Sequence, residues 1–478
     1  MTDQSTFEPQ TGVDETSLMY MLRLAGPMVV TTVSFTIMQF VDRFMVSRLG
    51  TNALAAILPA GFASFLPSGL VIGAMTSLNT FVSQSLGRGD RKACANYYWQ
   101  ALYIGLAYFV AVIVVMWPTA PWIFRMMGQP QDIIEMEVIY LRIMLYAHVL
   151  AVVNWSSSQF FMGIHRPIIT MFSSLVGQVV NIAANYILIF GKLGAPAMGI
   201  AGAGWGTFIG IGVAAGINIT VFLGPRINAA FGSRHTLNIN LDKIVNLLKV
   251  GLPAGFDLMV NVAFWGVILV ALVGQFGTES LAATSAVLAF TSLTIMPVVG
   301  MGTALTAAVG KTIGQGKKDV ALKQTSVCLR ISLVYMGLVG ICLFIFRDSL
   351  MAFWTIDPAK DKAVIDVGSN ILICAALYQV FHAARTIYTG SLRGAGDTIW
   401  LAVVSGIGAV FILGAGGAII AALFPSLGAM GPWIAAMVSI ILAAWANRWR
   451  FKSKRWMDID LFSRRPVGVT MRDGAAME

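Results

Sequence analysis

The amino-acid sequence predicts an all-α integral membrane protein of twelve transmembrane helices, arranged as two homologous six-helix lobes. Three observations carry this. The 478 residues are 57% hydrophobic and only 11% charged, whereas soluble domains carry roughly 25% charged residues. Charge-free runs long enough to cross about 30 Å of hydrocarbon, which takes roughly 20 residues each, recur from Thr51 to Gly87, Ala93 to Phe124, Pro167 to Gly191, Leu193 to Pro225, Ser280 to Gly310 and Thr398 to Ala446. The last run is long enough for two spans. Finally, the second half of the chain repeats the first at an offset of about 227 residues.

Taken in order, the spans are read at 24–47, 55–85, 96–118, 139–163, 168–191, 197–223, 246–274, 280–309, 326–346, 365–391, 398–424 and 431–449. Residues 1–17 are polar and acidic, unlike the basic start of a cleaved signal peptide, so the first span is expected to be retained. Loops on one side collect Arg88, Arg91, Lys92, Arg166, Arg226, Arg234, Lys243, Lys311, Lys317, Lys318, Arg393 and the basic run from Arg448 to Arg455. The other side has few, chiefly Arg48, Arg125, Lys192, Arg347, Lys360 and Lys362. By the positive-inside rule both termini are expected in the cytoplasm and the protein in the plasma membrane. The expected divisions are an N-terminal tail (1–17), a first lobe (18–224), a cytoplasmic linker (225–244), a second lobe (245–451) and a C-terminal tail (452–478).

The repeat is read from short matches. LGTNALAA at 49–56 returns as FGTESLAA at 276–283, SLGRGDRKA at 85–93 returns as TIGQGKKDV at 312–320, Pro27 is answered by Pro253, and Trp205 by Trp433. A repeat spanning six helices enters the membrane twice from the same side, so the halves should be related by a two-fold axis along the membrane normal, with a substrate path between them. Gly87, Gly89, Gly314 and Gly316 are expected to form matched turns.

Certain segments resemble the multidrug and toxic compound extrusion (MATE) family. These are GPMVVTTVSFTIMQFVDRFMVSRLG in the first helix, NIAANYILIFG and GIAGAGWGT in the fifth and sixth, and YTGSLRGAGDT at the end of the tenth, with the resemblance covering about residues 18–450. It implies a MATE-like fold and export of drugs or metabolites driven by sodium or proton entry. It also places Asp42, Asn181, Asn185 and Thr207 on the family's first-lobe cation positions. A second acid often stands in the family where this chain has Asn185, which leaves the coupling ion open between H+ and Na+.

Carboxylates inside a bilayer are costly and are functional candidates by default. Of the 22 acids, Asp42 and Asp257 are read as lying within spans. Counting 1.5 Å per residue from the helix ends brings Asp42, Asn181, Asn185 and Thr207 to one depth in the outer half of the first lobe. One carboxylate, two amides and a hydroxyl suit a small hard cation such as Na+, or a carboxyl holding a proton; the competing reading is interhelical hydrogen-bonding glue. In the second lobe, depth brings Asp257 to Arg385 as an expected buried ion pair, with Asn261 and His382 one turn deeper. This cluster is either a substrate site, with His382 able to titrate near neutrality, or a structural staple.

The net charge of +10 could suggest nucleic acid, but the basic residues lie beside helix ends and read as topology signals, so no nucleic-acid partner is expected. Cys94, Cys328, Cys342 and Cys374 have no metal-ligand spacing and read as buried free thiols. Trp205 and Trp265 read as cleft or packing residues, and Trp117, Trp122 and Trp456 as interfacial anchors. The 25 methionines and 28 phenylalanines suit an adaptable apolar cleft. Neither a cofactor nor enzymatic activity is expected, since His148, His165, His235 and His382 lack metal spacing and no Gly-x-Ser-x-Gly occurs. A flippase for a lipid-linked saccharide is the nearer rival, although its cleft should be strongly basic. The reading is an antiporter for organic solutes, expected to be a monomer in the bilayer.

Overall fold

The computed structural model describes residues 14–126, 130–353 and 362–462, except for some side chains within 51–67 and that of residue 132. Twelve long helices follow one another: α1 (Leu18–Ser47), α2 (Thr51–Gly87), α3 (Arg91–Met126), α4 (Gln131–Gly163), α5 (Pro167–Phe190), α6 (Ile200–Phe222), α7 (Leu241–Gly274), α8 (Thr278–Gly314), α9 (Lys318–Ile345), α10 (Lys362–Ala395), α11 (Thr398–Leu423) and α12 (Met430–Lys452). Eleven are apolar and long enough to cross a membrane, and α2, bent by 42° near Pro67, makes the twelfth. Helix is the required form here, because hydrocarbon offers the backbone no hydrogen-bond partners. Most helices run several residues beyond the spans read from hydropathy. Polar side chains assist at such ends: Ser17 Oγ accepts from Tyr20 N, and Asn240 Oδ1 from Lys243 N.

The packing reproduces the sequence repeat. In the first half α1 packs on α5, α2 on α3 and α4, α4 on α3 and α6, and α5 on α6. In the second half α7 packs on α11, α8 on α9 and α10, α10 on α9 and α12, and α11 on α12. The lobes meet through α1 against α8 and α2 against α7, pairs that the same two-fold exchanges. One asymmetry is local: Phe264–Ile268 in α7 and Gly408–Gly416 in α11 are π-helical, whereas α1 and α5 are not.

Glycine sets how closely the lobes approach. A Cβ on Gly255 would fall on the Leu70 carbonyl, one on Gly73 on the Gly255 backbone, one on Gly87 on the Lys311 carbonyl, and one on Gly314 on the Gln84 carbonyl. Gly89 (φ 80°) and Gly316 (φ 75°) form the matched turns that the repeat predicts. Gly87 and Gly314 instead belong to the seam, two residues earlier. Side chains reinforce it toward the same end: Thr80 Oγ1 donates to Arg393 O (2.8 Å), Gln84 Nε2 to Gly394 O (2.9 Å) and Asn79 Nδ2 to Thr303 O (3.3 Å). Gly255→Val is expected to prevent α7 from seating on α2 and to lower stability by about 1–3 kcal/mol, as overpacking does. An unchanged melting temperature in detergent would contradict this.

A further pin crosses the seam at the turn between α4 and α5. Gly163-Ile164-His165-Arg166 corresponds to Gly394-Ala395-Gly396-Asp397 in the other half, and His165 adopts the left-handed conformation (φ 61°) that its counterpart Gly396 adopts at 88°. The imidazole Nδ1 lies 3.0 Å from Tyr20 Oη on α1, and Nε2 lies 3.2 Å from Ala307 O on α8. Lys311, paired with Glu15 at 2.8 Å, stands nearby on α8. Burial, reinforced by the Lys311 charge, holds the His165 imidazole down at about 3, against about 6.5 in an unfolded chain. In that window the unfolded state binds the extra proton, so the contribution is present above pH 6.5 and is lost as pH falls toward 3. Melting between pH 7 and pH 5 is therefore expected to fall more steeply for the native chain than for His165→Gln; equal slopes would show that the pin does not titrate.

After α12 the chain folds back over this end. Trp456 is 1% exposed, stacks on Phe451 at 5.2 Å and donates its indole N–H to Phe451 O. It is thus a packing residue and not the interfacial anchor expected from sequence. Asp460 pairs with Arg88 at 3.0 Å, and Phe462 meets the Phe81 and Tyr97 rings, so the segment ties the second lobe to the first. Cys94, Cys328 and Cys374 are buried free thiols, but Cys342 is exposed on the α9 surface.

Candidate functional site

The first-lobe cluster is assembled by one face of α5 and the small residues opposite. Thr170, Ser173, Gly177, Asn181 and Asn185 recur at three- and four-residue spacing and are all buried, the periodicity of a single helical stripe. On α6, Gly206 and Gly210 leave the space these amides occupy, since a Cβ on either would collide with Asn185 or Asn181 respectively. Asn185 Nδ2 donates to Asp42 Oδ1 at 2.7 Å and to Asn181 Oδ1 at 3.4 Å, and Asn181 Nδ2 donates to Thr207 Oγ1 at 3.4 Å. Thr207 Oγ1 in turn donates to Ala203 O. The four residues grouped by depth are therefore in one hydrogen-bonded chain across α1, α5 and α6.

That chain is not saturated. Asn185 Oδ1 is buried without a hydrogen-bond partner, and an orphaned buried acceptor is costly. A cation taken up at Asp42 could use such oxygens, so the donor set fits a small hard ion such as Na+ or a proton on the carboxyl. No group of three or more His, Cys, Asp or Glu residues suited to a multivalent metal occurs among the described residues.

Two residues of α4 escaped the sequence reading. Tyr140 of α4 is buried within electrostatic reach of Asp42. Glu137, one turn earlier, is fully buried with neither carboxylate oxygen hydrogen-bonded, so acids within the long helices are not limited to Asp42 and Asp257. The fourth span was read from 139, whereas α4 begins at Gln131; a missed first turn hid the residue.

The second-lobe cluster differs from the expected one. Asp257 does not pair directly with Arg385. Its Oδ2 accepts from Arg393 Nη2 at 2.9 Å and its Oδ1 from Ser405 Oγ, while Arg385 Nη2 donates to that same Ser405 Oγ at 3.2 Å. Asn261, with its amide oxygen toward the guanidinium, accepts from Arg385 Nη1 and Nη2 at 3.2 Å each. Ser405 on α11 thus stands between the two charges that were expected to touch. Arg393 had been counted as a loop residue, yet α10 continues to Ala395 and keeps it helical. His382 turns away toward Trp265 and Tyr378, with ring centroids at 6.3 and 5.9 Å.

The repeat also shows what the second lobe lacks. In the registers set by Pro27 and Pro253, Gly163 and Gly394, and Trp205 and Trp433, the counterparts of Asp42, Asn181, Asn185 and Thr207 are Ile268, Ile412, Gly416 and Ala435. None can ligate a cation through its side chain.

Fold and clusters together define a duplicated, polytopic membrane protein with one oxygen-rich site in its first lobe. The chain belongs to the MatE family, whose model matches residues 27–187 and 253–416. Over 444 residues it is 28% identical to NorM of Chromobacterium violaceum, named a "probable multidrug resistance protein", covering 88% of this chain and 90% of that one. It is 26% identical to the multidrug resistance protein MdtK of Yersinia pseudotuberculosis, covering 89% and 93%. The fold is shared with a mutant of the Vibrio cholerae MATE transporter VcmN (TM-score 0.84, 17% identity, 93% and 100% covered). It is shared likewise with a multidrug resistance MATE transporter in an outward-facing conformation (TM-score 0.82, 20% identity, 93% and 99% covered).

Proposed function

We propose that the protein is a secondary antiporter that exports organic, cationic or amphipathic solutes from the cytoplasm in exchange for H+ or Na+, with both termini on the cytoplasmic side of the cell membrane. The observation that carries this reading is the hydrogen-bonded chain from Asp42 through Asn185 and Asn181 to Thr207, an oxygen-rich site whose carboxylate is on α1, a helix of the lobe seam. The relatives' names as multidrug resistance proteins support the substrate class.

Helix α1 supplies the mechanical link. It carries Asp42 in its outer part, while further in Thr32 Oγ1 donates to Met296 O of α8 at 3.1 Å and Gly300 of α8 approaches the backbone of Met28 and Val29. An ion or proton arriving at Asp42 changes the charge that α1, α5 and α6 must accommodate, and α1 carries that change to the opposite lobe. The ion can shift the equilibrium between seam-closed and seam-open states only through unequal affinity for them. With the seam closed on the basic-loop side, this state accepts the ion from the opposite side. The test is uptake of a fluorescent organic cation into inverted vesicles under an imposed sodium or proton gradient. Uptake driven by one gradient and abolished by its collapse is expected, and uptake indifferent to both would overturn the antiport reading.

A further inference from the structure

The second lobe holds more positive than negative charge inside its bundle. Asp257 is the carboxylate set between Arg393, which it pairs with directly, and Arg385, which reaches it only through Ser405. Arg385 otherwise donates to the neutral Asn261 amide oxygen. Neutral acceptors occupy some of the guanidinium's N–H groups and do not cancel its charge. Arg393 keeps a buried Nε without a hydrogen-bond partner. A net cation enclosed by membrane helices is costly unless an anion accompanies it.

Beside this cation is room for one. A cavity among α7, α10, α11 and α12 is bounded by Asn261, Phe264, Arg385, Ser405, Gly408 and Ser439. Its about 20 Å³ of space for the centre of a water-sized particle exceeds the minimum for one water and suits a carboxylate or a halide. Phe264 and Gly408 open the two π-helical segments, and widened turns of that kind frequently mark binding sites. Gly408 keeps the cavity open, since a Cβ there would lie 2.7 Å from Ser439 Oγ.

We propose that Arg385, Asn261 and Ser405 form a binding site for a compact monovalent anion, supplied either by the carboxylate of a zwitterionic solute or by chloride. The planar guanidinium fork offers paired donors to a carboxylate, and Ser405 and Asn261 hold that fork at the cavity wall. The site is independent of ion coupling in the first lobe, and its binding test requires no gradient.

The test uses the full-length protein in detergent. A fluorescent zwitterionic xanthene dye and its methyl ester, which differ in the carboxylate alone, are titrated by polarisation in Tris–sulfate buffer, which holds neither a carboxylate nor a monovalent halide, and melting is followed as chloride replaces sulfate at constant ionic strength. Binding of the zwitterion at least about tenfold tighter than the ester, as one charge-assisted hydrogen-bonded pair provides, assigns the site to a solute carboxylate. Saturable stabilisation by chloride with equal dye affinities assigns it to the halide. Either response should disappear in Arg385→Gln and in the cavity-filling Gly408→Val, and be weakened without being abolished in Arg385→Lys, which keeps the charge but not the paired donors, while ester binding is unchanged. If Arg385→Gln fails to fold, Gly408→Val decides. Equal dye affinities with no chloride effect, or a preference that survives in Gly408→Val, would overturn the proposal.

Discussion

Asp42→Asn is expected to abolish gradient-driven export while leaving a folded protein. The substitution keeps the volume of the side chain and an oxygen for Asn185 Nδ2, which now sits 2.7 Å from the carboxylate. What it removes is the negative charge proposed to bind either candidate ion. The remaining partners are neutral, and the second lobe offers Ile268, Ile412, Gly416 and Ala435 at the equivalent positions, so no duplicate site can substitute. Transport should fall to the level of vesicles lacking the protein, with the melting temperature little changed. Gradient-driven uptake that persists in Asp42→Asn would remove this carboxylate from the coupling mechanism. A measured exchange of two ions per solute would also show that one lobe is not enough.

The second large effect lies in the other lobe. Removing either partner of a buried pair costs about 3–5 kcal/mol through the orphaned charge. Asp257→Ala leaves both Arg393 and Arg385 without a carboxylate, and Arg393→Ala leaves Asp257 with Ser405 alone. The double variant Asp257→Ala/Arg393→Ala should recover much of that loss, giving a strong coupling energy in a double-mutant cycle. The cycle of Asp257 with Arg385 should be weaker, because Ser405 stands between them. Denaturation in detergent measures both, and stronger coupling to Arg385 than to Arg393 would contradict the observed geometry.

Much of the fold was readable because hydrocarbon imposes a simple rule on sequence. Twelve apolar segments, the Pro27 and Pro253 register and the paired Gly89 and Gly316 turns follow from length, composition and repetition. The first-lobe cluster was readable for a related reason: Asp42, Asn181, Asn185 and Thr207 lie on continuous α-helices whose outer ends are marked by Gly50 and Gly191, so residue counting measured depth well. Counting failed where helices outran the apolar stretch. Arg393 and Glu137 lie at ends that hydropathy assigned to loops or interface, although both continue as helix. Rotation about the helix axis was the other missing quantity. Depth alone put Arg385 and His382 beside Asp257 and Asn261, but side-chain direction gave Arg393 the direct contact and turned His382 toward Trp265.

The glycine seam has a kinetic side. Where helices meet through interlocked side chains, separating them requires many rotamers to change together, since packed interiors are close to crystalline in density. At Gly73 against Gly255 and at Gly87 against Gly314 the surfaces in contact are backbone, with no side chain of either glycine to unlock. Lobes joined in this way can part or slide as rigid bodies once the few hydrogen bonds from Asn79, Thr80 and Gln84 are exchanged. The barrier to parting the lobes is then expected to depend on the polar contacts that cross the seam, those of Asn79, Thr80, Gln84, Thr32 and His165 together with the exposed pair of Arg88 and Asp460, and of these the exposed pair is the one open to surface substitution.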